Sequence, residues 1–122
     1  MVSERFQEGT PFEAAGGYSR AVRRGPFVAV SATAAPGEDG VYAQTRAALT
    51  RAIGAVEQLG GTVEDIVRSR LYVKAGEDWR GAAEAHRELL GDVAPANAAF
   101  FVAGFPPEDA LVEVELDAIL VE

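Results

Sequence analysis

The sequence predicts an α+β fold built as a single domain over residues 1–122. Three observations predict it. Residues 111–120 alternate apolar and acidic side chains, the period of a strand with one buried face. Residues 42–59 and 78–90 repeat apolar side chains at threes and fours, the period of amphipathic helices. Short apolar runs bounded by Gly and Pro lie before and between them, giving the order β-β-β-α-β-α-β-β.

Taken in order, the first strand is read at Val2 to Gln7. Ser19 to Arg24 is one arm of a hairpin that turns at Gly25-Pro26. Phe27 to Ala32 is the other arm, an apolar run suited to a buried strand. Ala34 to Gly40, rich in Pro, Gly and acids, reads as a surface loop. In the helix Tyr42 to Leu59, one side carries Tyr42, Leu49, Ala52, Ile53, Val56 and Leu59, and Gly60-Gly61 ends it. Thr62 then caps a one-turn helix running to Asp65. Ile66 to Lys74 alternates, with Val67, Ser69, Leu71 and Val73 on one face and Arg68, Arg70, Tyr72 and Lys74 on the other. Asp78 caps the second helix, Gly91 stops it, and its inner face is Trp79, Ala82, Ala83, His86 and Leu90. Asn97 to Ala103 and Leu111 to Leu120 are the last strands, joined by the turn Gly104-Phe105-Pro106-Pro107. Two helices cover one face of such a sheet, and the other face needs a different cover.

Composition narrows the function. Apolar residues are 48% and charged residues 25%, the balance of a globular chain. The absence of Cys excludes a disulfide scaffold, a thiolate nucleophile and a Cys-ligated metal centre. A single His, His86, excludes a His-rich metal site within one chain. The net charge of −8 opposes nucleic acid and anionic lipid as partners. No apolar run approaches the ~18 residues of a membrane span. No basic-then-apolar leader opens the chain, so the expected location is the cytoplasm. No P-loop, dinucleotide fingerprint or metal-ligand spacing appears, and no cofactor or metal is expected.

Two groups invite chemistry. Glu113, Glu115 and Asp117 form an acidic row, and Arg68, Arg70 and Lys74 a basic one. Cross-strand pairing of these rows is one reading, at ~0.2–1 kcal/mol per pair. The other makes one carboxylate a general base or proton donor in a cleft. His86 is open to the same choice, between a packed, hydrogen-bonded side chain and an acid–base group.

A longer pattern runs through the chain. It comprises Gly17-Tyr18-Ser19-Arg20-Ala21-Val22, Gly25-x-Phe27-Val28-x-Val30-Ser31 and Gln44-Thr45-Arg46-x-Ala48-Leu49. It continues with Glu64-Asp65-Ile66-Val67, Tyr72-Val73-Lys74, Asp78-Trp79, Pro95-Ala96 and Val112-Glu113-Val114-Glu115-x-Asp117-Ala118. In these motifs and their order the chain resembles the RidA/YjgF family of reactive-intermediate deaminases, known in older usage as endoribonuclease L-PSP.

The resemblance implies a chorismate-mutase-like α+β fold, a mixed six-stranded sheet with two helices on one face. It implies a homotrimer around a central barrel, with small-molecule pockets between subunits. In the deaminating members an Arg after Pro-Ala grips a substrate carboxylate through a bidentate fork. A Cys two residues later supplies backbone contacts, a Tyr in the Gly-Tyr motif lines the pocket, and the first Glu of the last strand helps place the attacking water. Here Tyr18, Ser31 and Glu113 match. Asn97 stands at the Arg position and Ala99 at the Cys position, and Ser31-Ala32-Thr33 departs from the usual Ser-Gly-Gln. The chain is a member that keeps the pocket framework and lacks the carboxylate-binding Arg.

The expected function is therefore a hydrolase or deaminase acting on an imine, enamine or related electrophile, and not on the usual 2-imino acids. Glu113 and Tyr18 are its candidate catalytic residues. Asn97, Ser31 and Ala99 are its candidate substrate-binding residues, with Asn97 and Tyr18 orienting the ligand by hydrogen bonds. The alternative is a non-catalytic trimer that binds a small metabolite. A nuclease rests on the older family label alone, and the net charge opposes it.

Overall fold

The alternation of the last strand organises the molecule. The structure, a computed structural model, describes residues 2–121. In it β6 (Val112–Ile119) buries Val112, Val114, Leu116 and Ala118 and leaves Glu113, Glu115 and Asp117 half-buried on the opposite face. It pairs antiparallel with β3 (Phe27–Ala34) on one side and β4 (Ile66–Lys74) on the other. β2 (Ala21–Arg24) and β1 (Ser3–Phe6) extend the sheet beyond β3. β5 (Ala96–Val102) forms the far edge, parallel to β4. The order is β1-β2-β3-β6-β4-β5, a mixed six-stranded sheet as expected.

The helices α2 (Gly40–Gln58) and α3 (Trp79–Leu90) pack against one another, and α2 covers β3 and β6. The side chains of Ala48, Leu49, Ala52, Ala55 and Val56 on α2 are fully buried over that face. Gly60, in the left-handed region at φ 94°, turns the chain out of α2, as the Gly60-Gly61 signal predicts. The expected 3₁₀-like turn is present at Val63–Asp65, where the Asp65 carboxylate accepts from the Thr62 backbone N–H at 2.9 Å.

Two expected faces are corrected. On α3 the buried positions are Ala82, Ala85 and Leu90, while Ala83 is exposed and Trp79 is 51% exposed. A side chain in the first turn leans toward the helix N-terminus and so off the packed segment; the Trp79 ring lies against Arg80 instead, 5.4 Å from its guanidinium carbon. On β4 the core residue is Ile66, and Val67 is 45% exposed. The register against β6 slips between Ile66 and Arg68, and one extra residue reverses the parity before it. Ser69, Leu71 and Val73 are buried as expected.

The face without helices carries the opposed charge rows. Arg70 reaches Asp117 at 3.3 Å and Glu115 at 3.8 Å, Arg68 reaches Asp117 at 3.9 Å, and the Tyr72 hydroxyl donates to Glu115 at 2.8 Å. For Glu115 and Asp117 the pairing reading holds. These half-exposed contacts are worth ~0.2–1 kcal/mol each. Glu113 takes no part in them.

One element was not expected, α1 (Pro11–Gly16). Its signal is Thr10-Pro11-x-Glu13, a capping box with Pro at the first helical position. The buried Glu13 carboxylate accepts from the Thr10 backbone N–H at 2.8 Å, the Thr10 hydroxyl at 2.9 Å and the Glu8 N–H at 3.0 Å. The backbone bond from Thr10 leads in lowering its pKa to about 2, against a smaller opposing effect of burial. A lowered carboxyl contributes stability that is present above its unfolded value and lost as pH falls through the folded one. Glu13→Gln is expected to lower Tm at pH 7, and the gap to wild type should close as both are melted from pH 4.5 down toward 2. A gap that stays constant with pH would remove Glu13 from the acid transition.

Candidate functional site

The turn after α1 aims Tyr18. Gly17 ends the helix at φ 70°, and the N–H groups of Gly17 and Tyr18 both donate to the Glu13 carbonyl, at 2.9 and 3.1 Å. A Cβ on Gly16 would stand 2.9 Å from the Tyr18 ring, so the ring folds back over a position where any other residue would displace it. Beyond it the chain enters β2 and returns as β3. There Ser31 donates from its N–H to the Arg20 carbonyl at 2.9 Å and from its hydroxyl to the Ser19 carbonyl at 2.6 Å. The β3–β6 register slips between Val30 and Thr33. That irregularity frees Ser31 and Ala32 from β6 and opens the sheet beside Glu113, which pairs with Ala34 and Tyr72.

These displacements make a cavity of about 1000 Å³. Phe12 of α1 and Pro107 of the loop before β6 form walls of it, and Tyr18, Arg20, Ser31 and Glu113 contribute polar groups. Burial is the main influence on Glu113 and pushes its carboxyl above the usual range; nearby Arg20 opposes this, and Glu115 adds to it. The wall loop is held by buried Gln44, whose amide donates to the Glu38 and Asp109 carbonyls, both at 3.1 Å, and accepts from the Leu111 N–H at 2.8 Å.

Behind the cavity lies a charge cluster that the sequence reading did not find. Glu8 pairs with both Arg20 and Arg51. Arg51, on α2, also donates to the Ala34 carbonyl at 2.7 Å, tying the helix to the end of β3. These residues stand 43 positions apart in sequence at the widest, with no spacing motif to join them. Glu13 is legible through its capping box, but not its nearness to Arg20.

The predicted site residues therefore divide. Tyr18, Ser31 and Glu113 meet on one cavity. Asn97 and Ala99 do not line it, and both are exposed on the edge strand β5. Asn97 shares the helix-bearing face with Ser69, its partner across the parallel pair. Its amide nitrogen stands 2.9 Å from the Ser69 hydroxyl and 3.3 Å from the Ser69 carbonyl. Only the NH₂ end can face a carbonyl oxygen, so both Asn97 donors are spent within the chain and its Oδ1 is the group left free. The expectation that Asn97 lends a donor to a ligand is thus not met by this geometry. The Ser69 hydroxyl, accepting from Asn97, donates its own hydrogen bond to His86 Nε2 at 2.6 Å. His86 acts there as a neutral acceptor, its pKa lowered by burial. It is the packed, hydrogen-bonded histidine of the two readings, on the other face of the sheet from Glu113.

Comparison with known proteins agrees with this framework. A family model described as Endoribonuclease L-PSP matches residues 9–120. The crystal structure of Rv2704 from Mycobacterium tuberculosis, a member of the YjgF/YER057c/UK114 family, superposes with a TM-score of 0.92 at 40% identity, covering 98% of this chain and all (100%) of that one. The YjgF gene product of E. coli gives a TM-score of 0.82 at 26% identity, covering 97% and 98% of the two chains. An uncharacterised protein of Streptomyces coelicolor, SCO2049, is 35% identical, over 97% of this chain and 95% of its own. The chain therefore belongs to the RidA/YjgF family, the family of the endoribonuclease L-PSP model, and has that family's fold.

Proposed function

We propose that the protein is a RidA-like hydrolase that deaminates a small imine, enamine or related electrophile in a cleft between the subunits of a homotrimer, and that the usual 2-imino acids are poor substrates. The observation that carries this reading is the meeting of Glu113, Tyr18 and Ser31 on one cavity, with burial favouring the protonated Glu113 carboxyl. In the hydrolysis, Glu113 gives its proton to the imine nitrogen as water adds to the imine carbon. The resulting carboxylate takes the surplus proton of that water. The carbinolamine then expels ammonia and leaves a carbonyl. Tyr18 orients the substrate through its hydroxyl, and Ser31, whose proton is committed to Ser19, offers only lone pairs.

Support for the trimer comes from the sheet. Among the described residues neither α2 nor α3 covers its outer face, and the edge strand β5 leaves Phe100 and Phe101 52% and 58% exposed. Asn97 and Ala99, at the family's Arg and Cys positions, are assigned to that cleft as substrate-binding residues. Sedimentation equilibrium is expected to give three times the chain mass at micromolar concentration, and a monomer would remove the shared cleft.

A non-catalytic metabolite-binding trimer is the second reading, and the commitment of Asn97 to Ser69 favours it because no cationic clamp remains at that position. Glu113→Gln separates the two. Catalysis predicts a fall in turnover of freshly generated imines by ~10²–10⁴. The pH profile carries the sign. The proton donor is the protonated form, so the wild-type rate should fall as pH rises through the raised Glu113 pKa, and that limb should vanish in Glu113→Gln. No turnover in wild type would leave the binding reading, and turnover unchanged in the variant would remove Glu113 from the catalysis.

Asn97→Arg tests substrate class. One lost partner of a desolvated charge pair costs ~2–5 kcal/mol, and each ~1.4 kcal/mol is tenfold in affinity. Wild type should turn over 2-iminopropanoate weakly, and Asn97→Arg should gain about tenfold or more. Wild-type activity equal to that of an Arg-bearing relative would refute the lost-clamp argument.

A further inference from the structure

Arg20 has no part in the hydrolysis assigned to Glu113, yet its side chain faces the same cavity. It is only 4% exposed. Its Nε donates to Glu8 Oε1 at 3.1 Å, and its Nη1 donates to the Ala32 carbonyl at 2.7 Å and the Thr33 hydroxyl at 3.1 Å. Nη2 has no hydrogen-bond partner among the described residues. No sealed side-chain nitrogen or oxygen among them lacks a partner, so Nη2 is not sealed in protein. Arg20 lines the cavity together with Tyr18, Ser31 and Glu113, and Nη2 is the nitrogen of its guanidinium with donors to spare. The Tyr18 ring lies against the guanidinium, 5.8 Å from its central carbon.

The geometry and the charge restrict what this arm can bind. A carboxylate is gripped best by two parallel N–H groups from two nitrogens of the fork. Here two of the three nitrogens are occupied, and one arm of fixed direction remains. The surrounding charges also cancel. Arg20 and Arg51 stand against Glu8, which pairs with both, and against Glu13, which stays ionised down to a pKa of about 2. Two positive and two negative groups leave no net charge, and Glu113 adds a negative one when it ionises. A free carboxylate entering the cavity would lose its hydration without a compensating cation. A neutral carbonyl oxygen needs only the single donor.

We propose that Arg20 is the specificity-determining residue of this cavity, donating from Nη2 to the carbonyl oxygen of a neutral ligand, so that the substrate is a small imine carrying an amide or ester carbonyl and not a free acid. The assignment rests on the cavity being the substrate site, as proposed above. It differs in being readable by binding alone.

The test is calorimetric titration with pyruvamide and pyruvate, a neutral and an anionic keto analogue of matching size. Wild type is expected to bind pyruvamide at least about tenfold more tightly. Glu8→Gln removes one negative charge and leaves Arg20 and Arg51 in excess, so pyruvate should gain and the ratio should narrow at least about threefold. Arg20→Gln should lose about tenfold for pyruvamide with little change for pyruvate, its fold being verified by circular dichroism. Where Arg20→Gln does not fold, the Glu8→Gln titration decides alone. Pyruvate binding as tightly as pyruvamide, no saturable pyruvamide binding, or an unchanged ratio in Glu8→Gln would each overturn the assignment. Pyruvamide selectivity together with unchanged turnover in Glu113→Gln would keep the Arg20 assignment and overturn the catalytic role of Glu113.

Discussion

The C-terminal strand β6 is the constraint on which the molecule depends. It lies between β3 and β4, so the N-terminal strands and the β4–β5 pair join one sheet only through it. Its apolar side supplies Val112, Val114, Leu116 and Ala118 to the core beneath α2. Its acidic side supplies both the pairing row and Glu113. The same two-residue period therefore fixes the core and the Glu113 carboxyl together. A slip of one residue would send Glu113 into the core and Val114 into the cavity.

The second level of organisation is electrostatic. Glu8 links the hairpin through Arg20 to α2 through Arg51, and the two arginines line the cavity. Such a cluster is a costly way to gain stability, since each ion must leave water. What it supplies is position. Arg20 is held at three of its donor bonds, and a guanidinium so held presents its remaining edge without further ordering.

The strands, the two long helices and the charge rows were legible in the sequence because each rests on local periodicity. The errors fall where one extra residue or a helix end breaks that period. The bulge before Arg68 turned Val67 outward, and the first turn of α3 carried Trp79 off the core. The helix α1 is too short for a period and shows only in its cap. At the site, Tyr18, Ser31 and Glu113 were found through motif resemblance, and they do converge. Arg20, Arg51 and Glu8 were not read as one group, because only the folded hairpin and the crossing of α2 bring them together. The polarity of Asn97 was also beyond the sequence: whether an amide gives or accepts depends on the carbonyl of Ser69 beside it.

The edge strand β5 has a bearing on solubility. Its seven residues, Ala96–Val102, contain no charge and no proline, and they end in Phe100, Phe101 and Val102. An open edge of that composition is a template for strand addition by any other extended chain. The chain's net charge of −8 lies elsewhere and gives this edge no local protection. The strand is thus benign only while something covers it. Damage to whatever covers it would show first as loss of soluble material, before any loss of the folded core.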